Sequence, residues 1–162
     1  MLHTFSDGTI EWWVDQGRRV LFSRWEGDFG GDELLAAVPA FWDRYPEAAQ
    51  YGAVHDQIDF TGIIEHRYAR ATMQMRAERF GPERPGTRTA VVTKDPMKMF
   101  DLKVTSVEAP GGRLFRLFAT NASALAWVMA DEPDNPSASH DLSGGALPRW
   151  FYGTAASRVD VD

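Results

Sequence analysis

A chain of 162 residues, 44% apolar and 25% charged, has the make-up of one globular domain and is long enough to bury a core without covalent staples. Its net charge of −6 leaves no general basic face for nucleic acid, and its lack of cysteine excludes disulfides, thiolate metal sites and thiol nucleophiles. No apolar run approaches the ~18 residues of a membrane span, and MLHTFSDGT lacks a signal-peptide pattern, so the expectation is a cytoplasmic protein that is not transmembrane.

Residues 10–14 and 19–25 alternate in character. Ile10, Trp12 and Val14 fall on one face, and Glu11, Trp13 and Asp15 on the other. With Asp15-Gln16-Gly17 between them, the two runs predict a β-hairpin, and Trp12, Trp13 and Trp25 give it heavy cross-strand pairs. Residues 26–31 read as a loop, after which Asp32 caps a helix running to about Tyr45. Leu34, Val38, Phe41 and Tyr45 recur there at helical spacing, and Leu35 and Trp42 widen the stripe. Pro39 lies inside this helix; an interior proline costs ~3 kcal/mol, which predicts a kink or a helix in two short pieces.

The stretch YGAVHDQIDFTG, residues 51–62, is the central strand on which the chain is organised. Val54, Asp56, Ile58 and Phe60 share one face, Ala53, His55, Gln57 and Asp59 the other, and Thr61-Gly62 turns into a helix over 63–80. That helix buries Ile64, Tyr68, Ala71 and Met75, with Arg67, Arg70, Gln74 and Glu78 turned outward. TRTAVVT, residues 87–93, is a β-branched strand, and Asp95-Pro96 starts a helix whose inward stripe is Met97, Phe100, Val104 and Val107. Residues 113–119 form the last strand, and Asn121 or Ser123 caps a final helix through Val128. From Asp131 the chain turns polar, acidic and rich in breakers, and then ends near an aromatic island, Trp150-Phe151-Tyr152. The expected organisation is a domain over 1–130 and a tail over 131–162, the domain an α/β fold whose mixed sheet opens with a hairpin and has helices packed against it.

Four stretches in this order carry a resemblance. They are the hairpin followed by GDELLAAV, the strand ending in Asp59-Phe60-Thr61-Gly62, the step TAVVTKDPMKMF, and the ending RLFRLFATNASALAWV. Over residues 8–130 the chain resembles the SpoIIAA-like fold of STAS domains and of uncharacterised bacterial STAS/SEC14-type proteins. The resemblance implies a non-enzymatic binding or regulatory module, without cofactor, that acts through protein contacts as a homodimer. Phosphorylated STAS regulators carry a serine switch where this helix opens with Ile63-Ile64-Glu65-His66; Thr61 is the nearby hydroxyl, the candidate switch position, and its ordinary role is to cap the helix.

Other constellations have bland and sharp readings. His55 and Asp59 share a strand face, but residues four apart lie ~13 Å apart, too far for one ion without further ligands. Arg67 and Arg70 belong to an arginine-rich stretch that fits an anionic partner or, more simply, a solvated helix with local ion pairs. Trp13, Trp150, Phe151 and Tyr152 are candidate interaction residues, since exposed aromatics mark interfaces. The alternative function is a small apolar ligand or lipid site lined by Met73, Met75, Met97, Met99 and Phe100. No GxSxG, P-loop, GxGxxG or HExxH motif is present, so no catalytic residue, cofactor or metal ligand is assigned.

Overall fold

The computed structural model describes residues 1–82, 84, 86–95 and 113–130. The expected helix after Asp95-Pro96, with Met97, Met99 and Phe100, and the tail with Trp150, Phe151 and Tyr152 lie outside the described residues.

Among the described residues six strands lie side by side in the order of the chain. β1 (Leu2–Thr4), β2 (Asp7–Asp15) and β3 (Val20–Asp28) pair antiparallel. β4 (Gly52–Phe60), β5 (Arg88–Val92) and β6 (Leu114–Phe118) then add in parallel. The hairpin and the parallel β-α repeats are those the sequence predicts; β1 is an addition to them. The turn of the hairpin is pinned by Asp15, whose carboxylate accepts from the Arg18 amide at 2.8 Å, while Arg19 takes a left-handed φ of 57°.

Helix α1 (Gly31–Arg44) follows β3, and a 3-10 turn (Pro46–Gln50) leads from it into β4. The N-cap is Gly30 rather than Asp32, and the Glu33 carboxylate reaches back to accept from the Gly30 amide at 2.8 Å. α1 runs through Pro39 in one piece, against the two-piece alternative. Leu34, Val38, Phe41 and Trp42 are all buried around the proline, and that apolar burial offsets its missing hydrogen bond.

Helix α2 (His66–Phe80) starts three residues later than the sequence suggests, with Glu65 as N-cap, so Thr61 does not cap it. Helix α3 (Asn121–Met129) is capped by Thr120 rather than by Asn121 or Ser123; the Thr120 hydroxyl accepts from the Ser123 amide at 3.3 Å.

The helices cover opposite faces. α1 and α2 pack over a core of Ile10, Trp12, Trp25, Phe29 and Phe60, to which α1 adds Phe41 and Trp42. α3 packs over Val20, Phe22, Val54, Ala90 and Val92 through Ala124 and Leu125. Arg88, buried, donates to the carbonyls of Trp127 (2.7 Å) and Ala130, so a cation closes the C-terminus of α3.

Phe60 does not share the face of Val54 and Asp56. Between Arg24 and Glu26 of β3 the register advances two residues while β4 advances three, from Asp56 to Asp59. The extra residue is a β-bulge, which reverses the facing of everything after it. Phe60 therefore turns to the aromatic side, 4.6 Å from the Phe29 ring and 5.4 Å from Trp25.

Candidate functional site

Alternation along the parallel strands sends Ala53, His55 and Gln57 of β4, Thr89 and Val91 of β5, and Phe115 and Leu117 of β6 toward the α1–α2 side. Facing them on α2 are Ala69, Thr72, Met73 and Arg76, one helical face at spacings of three and four. Two of them, Ala69 and Thr72, are small, and there the helix does not fill the space over the strands. A cleft of about 700 Å³ opens between them, walled further by Trp12, Trp25, Phe41, Trp42 and Phe60. That volume and apolar lining, with a few inward polar groups, are the usual character of a small-molecule site.

The face of α2 is rotated by one residue from the expected stripe. Tyr68, Ala71 and Met75 are only half-buried, and the buried residue of the helix is Arg76. Tyr68 meets the start of α1, where its ring lies against Gly31, and Met75 packs into the aromatic core. Of the expected pocket residues Met73 lines the cleft, whereas Met75 is not among its lining. Arg76 donates to the carbonyls of Ala49 (2.9 Å) and Gly81 (3.3 Å), tying α2 to the 3-10 turn.

His55 is built into a buried chain of hydrogen bonds. The Trp25 indole, a donor only, gives its proton to Ser23 Oγ at 2.6 Å. Ser23 Oγ lies 2.6 Å from His55 Nδ1, and since the hydroxyl already accepts from the indole, its own proton is assigned to that contact. This assigns Nδ1 as an acceptor and places the imidazole proton on Nε2. Burial, reinforced by the Arg113 guanidinium, pushes the His55 pKa down to about 4, so the ring is neutral near pH 7. Arg113 in turn donates to Thr89 Oγ1 at 2.5 Å and to the Tyr51 carbonyl at 3.2 Å. His55, Thr89 and Arg113 all line the cleft.

The structure separates the other residues that sequence reasoning grouped. Asp56 faces α3, where its carboxylate accepts from Asn121 Nδ2 at 2.8 Å and from the Ile58 amide at 3.1 Å. Asp59 pairs with Arg24 at 3.3 Å. Among the described residues no three His, Cys, Asp or Glu side chains gather as metal ligands. Thr61 is exposed at the cleft margin, its amide held by the Gly27 carbonyl at 2.9 Å. Arg67 and Arg70 are exposed, and Arg67 pairs with Glu65 at 2.9 Å while lying over the Tyr68 ring. Trp13 is 40% exposed.

Sequence reasoning missed Ser23, Trp25, Arg76 and Arg113 as site residues. The signal was weak but present: Ala69, Thr72, Met73 and Arg76 have helical spacing, yet their mixed polarity hides them from a search for apolar stripes.

No protein-family model matches the chain, and no curated protein matches it. The chain is similar to a solved structure of an uncharacterised protein of the DUF3478 family with a SpoIIAA-like fold, from Shewanella loihica PV-4. The identity is 13%, the match covers 78% of this chain and 98% of that one, and the TM-score is 0.49. No helix among the described residues is long and apolar enough to cross a membrane.

Proposed function

We propose that this chain is a binding domain that takes up a small, largely apolar molecule between its sheet and helices α1 and α2. The observation that carries this reading is the 700 Å³ cleft, walled by aromatic and aliphatic side chains and floored by His55, Gln57 and Thr89. A core meant only for stability fills such space with side chains, because interiors pack to crystal-like density. Here the facing positions are Ala53, Ala69 and Thr72, which leave it open. The test is native mass spectrometry of the full chain purified from its own host. A retained small molecule, lost on mild unfolding, is the expected result; ligand-free protein that also fails to bind added apolar probes overturns the reading.

A second reading, contact with a protein partner or a second copy, has its own support. Trp13 (40% exposed) and Leu2 (64% exposed) stand on the side of the β1–β2 pair away from the cleft, by their register opposite Phe22 and Glu11. Light scattering of the wild type and of Trp13→Ser tests it. A dimer that the substitution dissociates supports a homodimer through this face, and a monomer in both leaves the face without that role.

A further inference from the structure

The cleft is not uniformly apolar. One polar spot on its floor is assembled from His55 of β4, Thr89 of β5 and Arg113 immediately before β6. Thr89 stands beside Ala53, one same-face step of ~6.6–7 Å along from His55. Arg113 bridges to Thr89 at 2.5 Å. His55 has its Nδ1 occupied by Ser23, so the proton it offers to the cleft is on Nε2. Asp95, a carboxylate that also lines the cleft, follows the opposite end of β5 from Thr89 and is exposed.

We propose that the ligand is an amphiphile with an oxyanion head, a carboxylate or a phosphate, that accepts the His55 Nε2 proton beside Arg113 while its apolar body lies against the aromatic walls. The inference rests on the cleft being a ligand site. Its chemistry follows from the donors. A neutral imidazole N–H and a guanidinium together favour an acceptor that carries negative charge. Charge-assisted hydrogen bonds are shorter and about twice as strong as neutral ones, and a walled cleft screens them less than water does. The positive field is already felt at His55, where the Arg113 charge adds to burial in keeping the ring unprotonated. An anion seated at Nε2 reverses that local field and favours the imidazolium, which gives the bound state a signature of its own.

The experiment is calorimetric titration of the full chain with decanoate, decyl phosphate and decanol, together with nitrogen NMR of the His55 ring with and without ligand. The expected result is that at least one of the two anions binds roughly ten-fold or more tightly than decanol, and that the His55 pKa rises when it is bound. Whichever anion shows the preference identifies the head as carboxylate or phosphate. His55→Phe is expected to bring that anion and decanol to similar affinities. Should the variant fail to fold, the wild-type NMR titration decides by itself. Equal binding of all three with an unmoved His55 overturns the oxyanion assignment and leaves the cleft reading standing. Binding of none overturns the cleft reading with it.

Discussion

His55 couples folding to pH through proton linkage. The folded ring titrates at about 4 against an ordinary 6.5, because protonation would place a charge in a walled site beside Arg113. Between those two values the unfolded chain binds a proton that the folded chain does not. Stability therefore falls as pH drops from about 6.5 to about 4, by ~3 kcal/mol in total. Urea unfolding at pH 7, 5.5 and 4 checks this, with His55→Gln expected to flatten the dependence across that window. On the other face of the same strand, Asp56 is 2% exposed and depends on Asn121 and the Ile58 amide for its hydrogen bonds. Asn121→Ala leaves one carboxylate oxygen buried without that donor, and we expect a loss of about 1–3 kcal/mol in denaturant titration.

Among the elements, α2 shows how an amphipathic pattern is overruled. Its sequence presents Tyr68 and Met75 as the apolar side, and those residues do find apolar neighbours, but on α1 and the aromatic core rather than over the strands. The side over the strands carries the mixed set Ala69, Thr72, Met73 and Arg76. The close approach of the two helices is set at Gly31, where an added Cβ would stand 2.3 Å from the Tyr68 ring. Gly31→Ala is expected to destabilise by about 1–3 kcal/mol, since that contact is far inside van der Waals distance. A double-mutant cycle with Tyr68→Ala checks the cause: the alanine should cost markedly less once the ring is gone. The β-bulge of β4 is the second case. One extra residue lets His55 face the cleft while Phe60, five residues on, closes its wall from the same side.

For the molecule as a whole, the sheet order keeps neighbours in sequence as neighbours in space, and two crossover helices end on one face. The cleft is a consequence of that placement. Ala69 lines the cleft from α2 and is not itself part of the hydrogen-bonded His55 chain, so a large side chain there fills the cleft from the helix side. Ala69→Trp is expected to abolish uptake of an apolar probe while the protein remains folded by circular dichroism. Ligand binding should raise the melting temperature of the wild type alone, since a ligand at a hundred times its dissociation constant adds about 2.7 kcal/mol to the folded state.

The amino-acid sequence by itself determined most of the described elements and their type, though not β1 or the 3-10 turn. Alternating runs at Ile10–Val14 and around Val54, the proline and glycine breaks, and the stripe of Leu34, Val38 and Phe41 are local signals, set by backbone geometry within a few residues. They were enough for the hairpin, the parallel repeats and the mixed sheet. The cleft was not legible there, because its residues are brought together from five strands and two helices. Which face of α2 meets the sheet depends on how α1 packs at Gly31, and which way Phe60 turns depends on one unpaired residue in β4. The pairing of Ser23 with His55 joins residues 32 apart. Such choices are made by packing between elements, and only the tertiary structure decides them.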